Sequence, residues 1–243
     1  MFPIGDQNEP GRGIALWTIA FIVVNVLVFV LLQLPSDEFT YGYAAVPAEI
    51  TSGRDLTDPV TVTVQGERVQ IPQEPGPRPI YLTLLSSMFM HGGWLHLGGN
   101  MLFLFIFGDN VEHRLGRLLY PIFYLIAGLV ASFAQILTGP DSPVPTLGAS
   151  GAISGVLGAY LVMFPGNQVT VFLFRFITVV PAVVAIGLWA ILQFVNGFAS
   201  IAVTEQTGGV AYWAHIGGFV AGAICGLIFR GIGGGRTPRY AYG

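Results

Sequence analysis

Long apolar stretches separated by short polar interruptions run along most of the chain, from residue 14 to residue 229. Stretches of this kind with few charges are typical of helices that cross a bilayer, because a hydrocarbon core of about 30 Å needs about 20 apolar helical residues. The pattern therefore predicts a multi-spanning membrane protein. Six segments can be marked, at 14–34, 94–108, 118–137, 150–164, 170–198 and 211–229.

Two of these segments, 94–108 and 150–164, are short for a membrane span. At a rise of about 1.5 Å per residue, each covers roughly 22 Å of helix. Each must therefore extend into flanking polar residues, or begin or end below a membrane surface. A helix end below the surface is tolerated only beside protein or a water-filled cavity.

The composition agrees with a membrane protein and argues against several classes of binding and chemistry. Hydrophobic residues make up 53% of the 243 residues and charged residues only 9%, whereas soluble domains carry about 25% charged residues. With no lysine and a net charge of -3, we expect no binding to nucleic acid. Cys225 is the only cysteine, which excludes an intrachain disulfide. The sequence contains no HExxH or comparable ligand set, so we predict no metal site and no cofactor.

The arginines predict which side of the membrane each loop faces. If residues 1–13 form a cytoplasmic tail, seven arginines lie inside and three lie in the long loop 35–93 outside. Because short cytoplasmic loops carry the excess of basic residues, we predict a cytoplasmic N-terminus and a cytoplasmic C-terminal tail over 231–243. Segment 14–34 has no cleavage signal after it and is predicted to be retained as the first span.

The long outer loop contains one patterned stretch, residues 60–71. Two alternating runs, VTVTV and RVQI, flank a turn that contains glycine. Alternation on both sides of such a turn is typical of a β-hairpin. We therefore predict a small hairpin inside the loop.

Four polar residues fall at membrane depth. Because burial of a polar group in lipid costs free energy, such residues are candidates for function. His96 and Asn100 are four residues apart, hence on one helix face. Ser150 opens the fourth segment, and His215 lies near the start of the sixth. With the N-terminus inside, the second, fourth and sixth segments all run from the outer to the inner side of the membrane. The four side chains therefore lie at a similar depth near the outer leaflet. A hydroxyl, an imidazole base and hydrogen-bond donors are what a hydrolytic site needs.

Small residues favour close packing of the helices that carry Ser150 and His215. They recur every four residues, and such stripes let backbones approach closely. The start of the fourth segment also presents free backbone N–H groups to an anion that forms at Ser150. The stripes consist of Gly151 and Gly155 on the fourth segment and Ala214, Gly218, Gly222 and Gly226 on the sixth.

Each of these features also has a structural interpretation. Serine commonly packs or hydrogen-bonds between membrane helices, and a histidine can satisfy an interhelical bond. His96 and His215 could alternatively form the proton relay of a transporter or channel, although the deeper spans offer no ionisable continuation apart from Arg175. His91 is five residues before His96, so we expect it to brace the loop by hydrogen bonding rather than to bind a metal. The joint placement of all four polar groups favours hydrolysis.

Four motifs in one order resemble those of the rhomboid intramembrane serine proteases. They are HGGWLHLGGN at 91–100, VEHRLG at 111–116, GASG at 148–151 and AHIGGFVAG at 214–222. The resemblance covers roughly residues 14–230. It implies an all-α membrane protein with a six-helix bundle, a long extracytoplasmic first loop and an active site that opens to the extracytoplasmic side.

The resemblance also implies roles for particular residues. Ser150 looks like the nucleophile and His215 like its general base, a dyad without the acidic member of a triad. His96, Asn100 and the backbone N–H of Ser150 resemble the groups that stabilise the oxyanion. Structural support is implied for His91, Gly148, Gly151, Gly218, Gly222, Glu112 and Arg114.

The function implied is that of a serine endopeptidase of the plasma (inner) membrane, which cuts transmembrane protein substrates within the lipid bilayer. The alternative is an inactive rhomboid-like protein that binds membrane clients, although such relatives usually lack the serine or the histidine. One departure is visible at Ser154, where some bacterial relatives carry an aromatic residue that stacks on the base histidine. The sequence therefore leaves open what holds the ring of His215.

Overall fold

A computed structural model describes residues 2–8, 13–64, 67–202 and 210–232. Most of these residues are helical, which confirms the predicted class of fold. The helices are α1 (Leu16–Val28, continued by a π-helical turn at Phe29–Gln33), α2 (Asp37–Tyr43), α3 (Pro47–Ser52), α4 (Thr83–Ser86, between 3-10 turns at Ile80–Leu82 and Ser87–Phe89), α5 (Trp94–Thr138), α6 (Ser150–Met163), α7 (Ala182–Ala202) and α8 (Tyr212–Ile232). The strands are β1 (Phe2–Asp6), β2 (Val60–Val64), β3 (Glu67–Ile71), β4 (Gln168–Leu173) and β5 (Phe176–Pro181).

Four helical stretches within the described residues are long and apolar enough to cross a membrane. They are Leu16–Gln33, Trp94–Thr138, Ala182–Ser200 and Tyr212–Gly231. Helix α6 is apolar but shorter, as its sequence predicts, and is roughly 21 Å long. Every residue of α6 from Gly151 to Tyr160 is buried, so protein surrounds this helix on all sides.

The long helix α5 changes direction at Gly116. This residue has φ 82° and ψ 164°, values that are not helical and that favour glycine. Beyond Gly116, Ala127 packs against Gly155 of α6 and Ala131 packs against Gly151. Because the later residue of α5 meets the earlier residue of α6, this arm runs antiparallel to α6. The two arms of α5 therefore contain the predicted segments 94–108 and 118–137.

The first arm of α5 is longer than its hydrophobic run. Segment 94–108 is too short to cross a bilayer alone, but the helix continues through the polar residues Asp109, Asn110 and Glu112 as far as the break at Gly116. Extension into flanking polar residues is one of the two arrangements that the sequence left open.

The structure corrects the start of the predicted fifth span, 170–198. Strands β4 and β5 form an antiparallel hairpin, and α7 begins only at Ala182. Val169 and Val171 of β4 are fully buried, whereas the residues between and after them are more exposed. This alternation has the period of a strand, and the stretch is rich in the β-branched and aromatic residues that suit a sheet.

Strand β1 pairs antiparallel with β4 and completes a three-stranded sheet in the order β1-β4-β5. Part of the segment that the sequence assigns to an N-terminal tail, 1–13, is therefore a strand. Asp6, at the end of β1, accepts hydrogen bonds from Tyr160 Oη at 2.5 Å and from Asn110 Nδ2 at 2.8 Å. The sheet is thus joined to α5 and α6 at the end of the bundle away from Ser150.

The pKa of the Asp6 carboxyl is raised to about 6, mainly because it is buried. The negative charge of Asp109 raises it further, while the hydrogen bonds from Tyr160 and Asn110 act in the opposite direction. A carboxyl whose pKa is higher in the folded protein than in the unfolded chain stabilises the fold less as the pH rises. The contribution is complete below about pH 4 and is lost as the pH passes through about 6.

We expect hydrogen exchange in β1 to speed up between pH 4 and pH 8 by roughly 10- to 100-fold beyond the intrinsic effect of pH. The reason is that ionised Asp6 favours undocking of the strand. Exchange measured on the amides of β1, compared with the same amides in Asp6→Asn, checks this. An equal pH dependence in Asp6→Asn would contradict it, because that side chain does not titrate.

The long loop 35–93 packs against the segment that leads into α6. Its predicted hairpin is confirmed, with β2 paired to β3 from Val60–Ile71 to Val64–Glu67. The Ala45 and Thr146 backbones exchange two hydrogen bonds, with N···O distances of 3.0 and 2.8 Å. Gln73 Nε2 donates to the carbonyl of Pro143 at 2.7 Å. The loop therefore holds in place the segment of chain that leads into Ser150.

Helices α6 and α8 touch backbone to backbone through the predicted small-residue stripes. A Cβ on Gly218 would collide with the carbonyl oxygen of Gly151, and a Cβ on Gly222 would collide with that of Gly155. The residue numbers of the contacting pairs increase together along both helices, so α6 and α8 run parallel. Their N-terminal ends are consequently neighbours.

Candidate active site

Ser150 and His215 are joined by a direct hydrogen bond. Ser150 is the first residue of α6, and His215 lies in the first turn of α8. The Oγ of Ser150 is 2.8 Å from Nε2 of His215. A hydroxyl bonded to an imidazole is the arrangement that activates serine as a nucleophile.

Two residues of α7 contact the ring of His215. Oε1 of Gln193 lies 2.9 Å from Nδ1 of His215. The ring of Trp189 lies with its centroid 6.1 Å from that of the imidazole, at an angle of 37°. Trp189 and Gln193 are four residues apart and so share one face of α7. Helix α7 thus supplies an aromatic neighbour and a hydrogen bond to the same ring.

Ser154 does not take part in these contacts. Its Oγ donates to the backbone carbonyl of Ser150, one turn earlier, at 2.6 Å. A serine that bonds to its own helix in this way is satisfied locally. The aromatic contact that position 154 lacks is supplied here by Trp189.

His96 lies beside the Ser150–His215 pair. Its Nδ1 accepts a hydrogen bond from the backbone N–H of Gly92 at 3.2 Å. In the neutral ring the proton is therefore on Nε2, which is a donor. A Cβ placed on Gly148 would lie 3.1 Å from this Nε2 and 3.3 Å from the Ser150 Oγ. The donor and the hydroxyl therefore flank the same small space.

Gly148 is required where it stands for two reasons. Its φ of +138° is rarely adopted by residues with a side chain. A Cβ here would also contact both His96 and Ser150. Its backbone N–H donates to the carbonyl of Ser87 at 2.9 Å, which holds this turn in place.

Asn100 lies one turn after His96 and on the same helix face. The residue is buried, and its Nδ2 has no hydrogen-bond partner among the described residues. Leaving a buried amide donor unpaired costs about 1–3 kcal/mol. Asn100 therefore has an Nδ2–H donor without a partner among the described residues, on the same helix as His96.

The loop is braced at His91, but through the backbone and not through the ring. The side chain of Gln33 accepts from the His91 N–H at 2.8 Å and donates to the His91 carbonyl at 3.1 Å. The ring itself is buried and makes no hydrogen bond within the part of the chain that the structure describes. It packs edge-on against the ring of His96, with centroids 5.2 Å apart.

Glu112 caps the start of α1. Its carboxylate accepts from the backbone N–H of Trp17 at 3.0 Å and from both the N–H and the Oγ1 of Thr18 at 2.8 Å. A negative charge at a helix N-terminus is stabilised by the free N–H groups and the helix dipole. Arg114 is half-buried and makes no side-chain hydrogen bond with other described residues. Glu112 thus makes hydrogen bonds that fit a structural role, whereas the structural role of Arg114 stays a prediction.

The described residues contain no group of three or more His, Cys, Asp and Glu side chains that could hold a metal ion.

Sequence reasoning missed Gln193 and Trp189, as well as a second glutamine, Gln135. Oε1 of Gln135 accepts from the backbone N–H of Ala214 at 3.3 Å, next to His215. A signal was available, because an amide side chain within a hydrophobic segment needs a partner. Which partner it finds depends on how the helices pack, and the sequence does not contain that information locally.

These features define a helical membrane protein with a hydrogen-bonded serine–histidine pair at the start of two adjoining helices. The family model described as Rhomboid domain matches residues 79–232, well over half of the chain. The chain belongs to the rhomboid family. The match to this family model confirms the resemblance to rhomboid proteases that was inferred from the four motifs.

Individual relatives agree with this assignment. The chain is 31% identical to Rhomboid protease GluP of Bacillus subtilis over 220 residues, which are 90% of the chain and 37% of that protein. It is 32% identical to RHOMBOID-like protein 5 of Arabidopsis thaliana over 159 residues, 65% of the chain and 46% of that protein. It is 30% identical to Rhomboid protein 1, mitochondrial, of Saccharomyces cerevisiae over 149 residues, 60% of the chain and 41% of that protein. The matches thus span less than half of the length of each of these relatives.

Proposed function

We propose that this protein is an active intramembrane serine endopeptidase that hydrolyses peptide bonds in or near the transmembrane helices of other membrane proteins. The observation that carries the proposal is the 2.8 Å hydrogen bond between Ser150 Oγ and His215 Nε2. Membership of the rhomboid family, which includes proteases, supports it.

In the proposed first step, the Oγ of Ser150 attacks the carbonyl carbon of the scissile bond while Nε2 of His215 takes the hydroxyl proton. The carbonyl oxygen becomes an oxyanion. Three donors are available for it, namely Nε2–H of His96, Nδ2–H of Asn100 and the backbone N–H of Ser150 at the start of α6.

In the second step, His215 returns the proton to the leaving amine, and an acyl group remains on Ser150. A water molecule, deprotonated by His215, then hydrolyses this ester and restores the serine. Water has to reach the start of α6, which requires the site to open toward one membrane surface. The peptide bond must also be free of helical hydrogen bonds, so substrates should unwind easily near their outer end.

The proposed arrangement in the membrane has six spans, with the two arms of α5 counted separately and α6 included. The N- and C-termini are cytoplasmic, the loop 35–93 is extracytoplasmic, and the site opens to that side of the plasma (inner) membrane. The arginine distribution supports this orientation. The sheet that contains β1 is then on the cytoplasmic side.

The direct test uses the purified protein in detergent with a fluorescent transmembrane substrate. We expect time-dependent cleavage, together with covalent labelling of Ser150 by a fluorophosphonate probe and loss of cleavage in proportion to labelling. Peptide mass spectrometry locates the probe. Absence of both cleavage and labelling across a panel of transmembrane helices would favour an inactive rhomboid-like protein that binds membrane clients.

Replacing Asn100 by alanine is expected to lower kcat by about 100-fold, with a small change in KM. The reason is that its Nδ2 donor, unpartnered among the described residues, would bond only to the oxyanion and not to the ground state. Steady-state kinetics on the same substrate check this. A change confined to KM would show that Asn100 contributes to substrate binding instead.

A further inference from the structure

His215 makes a second hydrogen bond that the two-residue mechanism does not use. Its Nδ1 lies 2.9 Å from Oε1 of Gln193. Because an amide oxygen can only accept, Nδ1 carries the ring proton. The lone pair of the neutral ring is then on Nε2, which faces the hydroxyl of Ser150 at 2.8 Å. The bond to Gln193 therefore selects the tautomer in which His215 can act as a base.

The contact also restrains the orientation of the ring. Without an acceptor, a donor inside the helix bundle would be left unsatisfied, at a cost of about 1–3 kcal/mol. The imidazole could then rotate or change tautomer to find another partner. Rotation would turn the Nε2 lone pair away from Ser150, and the other tautomer would place a proton on Nε2 in its stead.

Trp189 restrains the same ring from the same helix face. Its centroid is 6.1 Å from that of His215 and 6.0 Å from that of Phe219, which lies one turn after His215 on α8. The imidazole is thus bounded by an aromatic side chain and hydrogen-bonded by an amide, both from α7.

A glutamine suits this position better than the carboxylate of a serine-protease triad. A carboxylate at this position would have to leave water to lie among membrane helices, which costs several kcal/mol before its contact with His215 offsets part of that cost. The amide of Gln193 supplies the acceptor without that charge. The surrounding residues of α7 are almost wholly apolar, from Ala182 to Leu192.

We propose that Gln193 is a positioning residue for the reaction, which fixes the tautomer and orientation of His215 as the third member of a Ser150–His215–Gln193 chain. The proposal rests on the proposed function. It adds α7 to the helices on which the reaction depends, because α6 and α8 carry only the first two members.

The test compares three variants of the full chain. Gln193→Met removes the acceptor at similar size, so we expect kcat to fall about 100-fold with KM nearly unchanged. Gln193→Glu keeps an acceptor, so we expect activity within about tenfold of the parent. The carboxylate favours the doubly protonated ring, and the acid limb of the pH–activity profile should therefore move to higher pH. Asn196→Leu removes an exposed amide one turn further along α7 and should match the parent.

A second measurement does not depend on activity. In protein labelled with ¹⁵N-histidine, the parent should show His215 as the Nδ1–H tautomer, and Gln193→Met should show a mixture. Parent-like kinetics, pH profile and tautomer in Gln193→Met would overturn the role of Gln193 and leave the protease proposal standing. A parent that cleaves nothing would overturn the proposed function, and the tautomer would then decide on Gln193 alone.

Discussion

Replacing Ser150 by alanine is expected to lower cleavage of a transmembrane substrate by at least about 1000-fold. The hydroxyl is the only group in the proposed mechanism that bonds covalently to the substrate. His215→Ala should have an effect of similar size, and the double variant should be no worse than either single one, because the two residues act as a unit. Cleavage rates in detergent and in liposomes measure this.

Ser154→Ala is the matched control for this prediction. It removes a hydroxyl from the same helix one turn later, where the Oγ bonds only to the backbone of Ser150. We expect its rate to stay within a few-fold of the parent's. If Ser150→Ala retained parent-like cleavage while Ser154→Ala lost it, the nucleophile would have been assigned to the wrong serine.

Replacing Gly222 by valine is expected to have the largest effect on stability, a loss of about 3 kcal/mol or more. Already the first carbon of the new side chain would collide with the carbonyl oxygen of Gly155, and backbone cannot rotate away as a side chain can. Helices α6 and α8 would have to separate. For a chain of this size, the melting temperature in detergent should fall by roughly 6–12 °C.

Gly187→Ala provides the comparison for a glycine in open surroundings. Gly187 lies within α7, and a Cβ there would have nothing within 4 Å. Alanine favours a helix over glycine by about 1 kcal/mol, so the variant should be as stable as the parent or slightly more stable. Equal melting temperatures for Gly222→Val and Gly187→Ala would contradict the close contact between α6 and α8.

Separation of α6 from α8 should also affect the site. Ser150 and His215 lie on different helices, and their bond of 2.8 Å tolerates little displacement. Gly222→Val that still folds should therefore cleave more slowly, even though residue 222 lies two turns away from His215.

Much of the fold could be predicted because membrane spans are long and their composition is distinctive. The same holds for Ser150 and His215, since polar groups in apolar segments are conspicuous and the small-residue stripes indicate which helices meet. Gly218 and Gly222 indeed contact Gly151 and Gly155. Hydrophobicity, polar residues and small-residue stripes can each be read within a single segment. The rule that successive spans cross the membrane in opposite directions then places them relative to one another.

The start of α7 and the contact between Gln193 and His215 could not be predicted in the same way. A continuous apolar run gives the same hydrophobic signal whether it forms a buried strand or a helix, and 170–181 joins directly to a true helical segment. The β-branched residues before Pro181 were the available signal. Gln193 is one amide among several, and its partner is fixed by the rotation of α7 relative to α8, which depends on the whole bundle.

The pairing of β1 with β4 sets an order for assembly during synthesis. Gln7, just after β1, accepts a hydrogen bond from Asn167, just before β4, across a separation of 160 residues. At common elongation rates of about 5–20 residues per second, the first strand waits roughly 10–30 s on the ribosome for its partner. Throughout that interval β1 lacks the strand with which it pairs in the folded protein. The sheet at this end of the molecule can therefore form only after the fourth hydrophobic segment and β4 have been synthesised.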